Sequence, residues 1–184
     1  MGLGKLMLRA TLGGYFVGHG MQKLAGWFGG GGLEGTGKMF EQIGLRPGRE
    51  NALVAGAAEA GGGALLALGL FTPAAVSMLT GVMTNAIRHV HAKNGPWVTD
   101  GGVEYPVVIL GVLAALADGG PGRLSLDDAL GIRLRGPVVT AVAMGAGAAG
   151  AVYLAGHAEE IFEPRDADEA LSRSAEQAAT ASQS

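Results

Sequence analysis

Seven residues of this chain carry side chains that could do chemistry together: His19, Lys23, Glu59, Arg88, His91, Glu104 and Tyr105. Each lies within or beside a long apolar run, where an ionisable group is costly and marks a candidate functional site. The set combines carboxylates, imidazoles, fixed cations and a phenol. Histidine, arginine and a buried carboxylate can together donate hydrogen bonds to the carbonyls of a quinone and move its protons. The same groups can also form ion pairs that only tie helices, or cations that reach up to lipid headgroups. His89 and Lys93 are expected to behave in that last way.

Other chemistries have less to build on. The chain has no cysteine. A disulfide framework, a thiolate metal site and a dithiol relay carried by this chain alone are therefore excluded. No metal site is expected. Haem held axially by His19 and His91 is disfavoured, because no second histidine pair backs it. A formal net charge of −3 is too small to imply a nucleic-acid partner.

The elements that must position these residues follow from composition. Of 184 residues, 48% are hydrophobic and only 16% charged, where a soluble domain carries about 25% charged. The apolar residues fall in runs, and the charges are pushed into the gaps. The 34 glycines lie largely inside these runs, as suits helices whose backbones approach closely in a membrane. Crossing the hydrocarbon core takes about 20 helical residues. Residues 3–24, 51–70, 72–92 and 103–117 come near that length, and 137–155 adds a fifth segment. The expected fold class is an all-α membrane protein, a four-transmembrane-helix bundle core with an additional transmembrane helix and short interfacial helices.

Local signals refine this outline. Thr72 and Pro73 open the third segment as cap and first-turn proline. Thr36 is expected to cap a short interfacial helix ending at Gly44, with Met39, Phe40 and Ile43 on one face. Ser125 opens another, closed by Gly131. Lys5 and Arg9 precede an apolar stretch as in a signal peptide, but no clean cleavage site follows, so retention as an anchor is expected. Residues 158–184 read as a disordered polar tail. The distribution of lysine and arginine leaves the orientation open, mildly opposing an inside N-terminus.

The first and third segments run parallel because the second intervenes. His19, Lys23, Arg88 and His91 therefore share one side of the bundle, where the fourth segment begins with Glu104 and Tyr105. Glu59 lies eight residues beyond Asn51, about 12 Å along the axis, among Gly56, Gly62 and Gly63. A carboxylate in a glycine seam faces another helix, either protonated or paired with Arg88 or Lys23. Ser77, Gly81, Thr84, Arg88 and His91 fall on one face of the third segment.

These residues also carry a resemblance. His19-Gly20-Met21-Gln22-Lys23, Ala55-Gly56-Ala57-Ala58-Glu59, Phe71-Thr72-Pro73, His91-Ala92-Lys93-Asn94-Gly95-Pro96-Trp97, Gly102-Val103-Glu104-Tyr105 and the run from Gly120 to Asp127 together resemble the DoxX family of bacterial membrane proteins. Pro96 departs from the aromatic residue often found there. The resemblance implies a DoxX-like four-helix core over residues 1–131; the additional transmembrane helix over 132–157 and the tail beyond lie outside it. It further implies a multi-pass protein of the bacterial inner membrane. Its expected partners are membrane lipid and either other subunits of a membrane oxidoreductase complex or further copies of itself, with quinone as the cofactor class. A scaffolding subunit that docks a partner protein is the alternative.

Overall fold

The computed structural model describes residues 2–162, and among these all regular elements are helical. In order they are α1 (Leu3–Ala25), a short α2 (Gly32–Gln42), α3 (Gly48–Leu68), α4 (Thr72–Ala86), α5 (Glu104–Gly119), the single turn α6 (Leu126–Ala129) and α7 (Pro137–Phe162). α1 and α3 both stop at a glycine in the left-handed region, Gly26 (φ 70) and Gly69 (φ 62), the usual helix terminator. Two helices, α3 and α7, are by length and composition able to cross a membrane.

Glycine sets how the first two long helices meet. Gly13 and Gly20 of α1 are seven residues apart, as are Gly56 and Gly63 of α3, so each pair falls on one stripe of its helix. The helices run antiparallel in backbone contact. A Cβ added at Gly63 would lie 2.7 Å from the Gly13 carbonyl and 2.8 Å from Phe16, and one at Gly20 would strike the Gly56 carbonyl and Ala60. α4 covers the next face of α3, with Leu79 lying over Gly62. α7 runs parallel to α4 and approaches through Gly147, where any Cβ would strike the carbonyl of Ser77. Phe16, Leu66, Val76, Leu79, Ile109, Leu113 and Leu116 fill the space between α1, α3, α4 and α5.

Outside this core much of the surface is apolar. Tyr15, Val107, Val108, Val138, Val142 and Tyr153 are all exposed. Only 11% of the most apolar 18-residue window of α7 is buried. A helix apolar on every side but covered on one faces a nonaqueous surrounding.

One end of the bundle is closed by side chains that satisfy helix termini. Arg9, fully buried although it sits in α1, donates to the carbonyls of Ala67 (2.9 Å), Leu66 and Leu124. Two of these belong to the carbonyl end of α3, the negative end of its dipole. Lys5 does the same for α5, donating to Gly119 (2.6 Å) and Gly120 (2.8 Å). Buried Asp127 serves the opposite polarity: its carboxylate accepts from the backbone N–H groups of Phe71 (2.8 Å) and Thr72 (3.0 Å), at the start of α4.

Several sequence expectations shift. Thr72 does not cap through its own oxygen; its hydroxyl donates to Asp127 at 2.7 Å, because the carboxylate already takes the free amides. Thr36 is buried inside α2, which starts a turn earlier at Gly32 with Glu34 near its positive end. Ser125 caps α6 as expected, accepting from the Asp128 amide. The last helix continues beyond 157 to Phe162, so residues 158–162 are helical. The remainder of the expected disordered tail lies outside the described residues.

Candidate functional site

At the other end of the bundle, Lys23 near the end of α1 meets Glu59 in the middle of α3. Lys23 Nζ lies 2.6 Å from Glu59 Oε2. Glu59 is buried, with 6% of its side chain exposed, while Lys23 keeps 21%. The two meet because Gly20 and Gly56 bring the α1 and α3 backbones together one turn away, so a lysine can span the gap without bending. Of the two partners expected for Glu59, packing selects Lys23.

This ion pair lines two cavities. The larger, about 410 Å³, lies among α2, α3, α4 and α7 and is walled mainly by apolar groups, with Asn51, Glu59, Ser77 and Asn85 supplying polar ones. The smaller, about 160 Å³, lies among α1, α3, α4 and α5 and is bordered by His19, Lys23, Glu59, His91 and Tyr105. Met83 and Ala86 of α4 also border both. Lys23, Glu59, Met83 and Ala86 therefore form a shared wall. Ligand pockets of a few hundred Å³, mostly apolar with a few placed polar groups, are the usual form of a small-molecule site.

Five of the seven residues singled out in the sequence thus converge on one cavity. His19 is exposed, with Nδ1 3.0 Å from Gln22 Oε1. His91 lies with Nδ1 2.7 Å from the Gly101 carbonyl, which fixes the ring against the loop leading to α5. Tyr105 borders the cavity from the first turn of α5. Glu104 and Arg88 stand apart. Glu104 accepts the backbone N–H of Val98 at 2.9 Å and staples the same loop. Arg88 is exposed, borders neither cavity and forms no ion pair among the described residues.

Arg88 and His91 are separated by a π-turn, Ile87–His91, closed by the Ala92 N–H bonding to Ile87 O. An extra residue in one turn rotates everything beyond it by roughly 100°. The face shared by Ser77, Gly81, Thr84, Arg88 and His91 in an ideal helix is thereby split. Ser77 and Gly81 meet α7, whereas His91 reaches the side of α1 and α5.

Asn85 was not anticipated. It sits two residues before the π-turn and borders the larger cavity, and its buried Oδ1 has no hydrogen-bond partner. An amide within an apolar run is itself a signal, since such a group needs a partner or a ligand. Arg9 and Asp127 were also missed as buried groups; both are consumed by helix termini.

The fold and this seam define a class: a helical membrane protein with a buried ion pair between two cavities at one end of the bundle. The DoxX family model matches residues 4–92, a span that runs from α1 through the π-turn and contains Lys23, Glu59, Asn85 and His91. The match supports a DoxX family membrane protein. No curated protein and no solved structure matches it.

Proposed function

We propose that this chain is a multi-pass subunit of an oxidoreductase assembly in the bacterial inner membrane, binding a quinone against the Lys23–Glu59 wall. In this reading α1, α3, α4 and α5 form the four-helix membrane core. α7 is the added fifth span. The exposed apolar sheath and the crossing lengths of α3 and α7 support it.

The observation that carries the quinone assignment is that one buried ion pair borders both a mainly apolar cavity of about 410 Å³ and a smaller one of about 160 Å³ that His19, His91 and Tyr105 also border. A quinone requires both. Its ring and isoprenoid tail need apolar walls, and its carbonyl oxygens need donors. Lys23 Nζ is a donor at the wall, and His19, His91 and Tyr105 border the smaller cavity. Reduction of a quinone to a quinol takes up two electrons and two protons. The electrons would come from a partner subunit, and Glu59 with Lys23 would pass protons from the side of the smaller cavity.

The test is affinity for a short-chain ubiquinone or menaquinone analogue, measured on the full chain in mild detergent. Glu59→Gln and His91→Ala should each weaken binding. Unchanged affinity in both variants removes the assignment. Identification of proteins that co-purify in the same detergent tests the subunit reading separately.

A further inference from the structure

The capped end of the bundle holds a second feature, unrelated to the ion pair. Lys5, Arg123, Arg133 and Arg135 surround a cavity of about 270 Å³ between the end of α5, the α6 turn and the start of α7, with Asp128 as the one acidic residue on its wall. Lys5 is held in place by the Gly119 and Gly120 carbonyls. The three arginines have no carboxylate partner among the described residues. Three unneutralised guanidiniums converging on one cavity are unfavourable by mutual repulsion unless an anion sits among them.

The surroundings of the cavity identify the kind of anion. Leu124 (55% exposed), Leu130 (64%) and Leu134 (57%) project from the same loop. A site for a free anion in water has no use for three exposed leucines. A loop that places leucines into acyl chains and arginines at the phosphate level does. The helix termini agree: α1 and α7 begin at this end and α5 finishes there, so the loop sits where the bundle meets the headgroups.

We propose that this cavity is a headgroup site for an anionic phospholipid, its phosphodiester held by Arg123, Arg133 and Arg135 and its acyl chains lying along Leu124, Leu130 and Leu134. It rests on the bilayer-spanning reading above but not on quinone binding. Arginine suits the role because its planar fork meets phosphate oxygens in pairs. Basic clusters at the ends of membrane helices recognise anionic lipids on the same principle.

Native mass spectrometry of the full chain in mild detergent, titrated separately with phosphatidylglycerol and phosphatidylcholine, tests this. Phosphatidylglycerol should be retained preferentially, and Arg123→Gln/Arg133→Gln should cut its affinity roughly tenfold or more. Arg88→Gln, at the opposite end, should leave it unchanged. Raising salt should weaken retention by the unaltered chain, so the proposal can be tested even if the double variant does not fold. Equal retention of the two lipids, or retention insensitive to salt, overturns the site. Inorganic phosphate stabilising the chain as well as phosphatidylglycerol does would overturn the lipid assignment. Release of the chain from membranes by alkaline carbonate would instead overturn the spanning reading itself.

Discussion

Lys23 and Glu59 are 36 positions apart in the chain and 2.6 Å apart in space, and their contact forms part of the wall between two cavities. Neither residue reaches the other unless α1 and α3 pack backbone to backbone, which Gly13, Gly20, Gly56 and Gly63 permit. The pair is thus a consequence of the glycine seam, and the seam has a consequence beyond packing: it places a fixed charge pair where a lipophilic molecule could touch it from either side.

Breaking the pair should cost more than removing it. Glu59→Leu alone leaves an ammonium without its partner, and Lys23→Met alone leaves a buried carboxylate. Each should lose about 3 kcal/mol, at the low end for buried pairs because Lys23 keeps some solvent access. The double variant should lose clearly less than the sum. A denaturation cycle in detergent measures this, and strictly additive losses would show that the contact carries no coupling.

The seam itself predicts a sharp contrast between two glycines of the same region. Gly63→Val would drive atoms into the Gly13 carbonyl and Phe16, and should abolish the folded state. Gly14, on the other side of α1, meets nothing within 4 Å. Gly14→Ala should be neutral or stabilise by up to about 1 kcal/mol, the helix-propensity difference. Thermal unfolding of both variants decides it.

Arg9→Leu should destabilise by about 3 kcal/mol, since it strips charged donors from the carbonyls of Leu66, Ala67 and Leu124. Arg9→Lys should recover only part of this, because an ammonium cannot reproduce the fork. If the lysine variant melts with the unaltered chain, the geometry of the guanidinium is irrelevant.

Asn85 allows stability and binding to be separated. Asn85→Leu removes an unpaired buried amide oxygen, so the fold should hold or gain about 1 kcal/mol. Quinone affinity should fall at least about fivefold, through loss of a hydrogen-bonding group and of cavity volume. Parallel melting and binding measurements distinguish this from a general loss of fold, in which both would drop together.

Arg88 and His91, adjacent on an ideal helical face, should behave differently. Arg88→Ala should change neither stability nor quinone affinity. His91→Ala should lose about 1 kcal/mol with its bond to the Gly101 carbonyl, along with quinone affinity. An Arg88 variant that loses quinone would restore that residue to the site.

Much of the helical layout was legible from residue order alone. Runs of apolar residues near 20 long specify helices, short turns such as Phe71-Thr72-Pro73 make successive helices antiparallel, and that alternation brings His19, Lys23, His91 and Tyr105 to one end. Those signals are local or follow from counting helices. Depth along a helix is equally local, which is why Glu59 could be recognised as a buried carboxylate before its partner was known.

Partner choice was not legible, because it depends on the rotation of one helix against another. A single π-turn parted His91 from the face that carries Arg88, and no hydropathy pattern marks where a helix adds a residue to one turn. Arg9 and Asp127 look like loop charges in the sequence. Only the meeting of α1 with the end of α3, and of α6 with the start of α4, turns them into buried caps, since a helix terminus needs a charge in three dimensions and not at any fixed spacing along the chain.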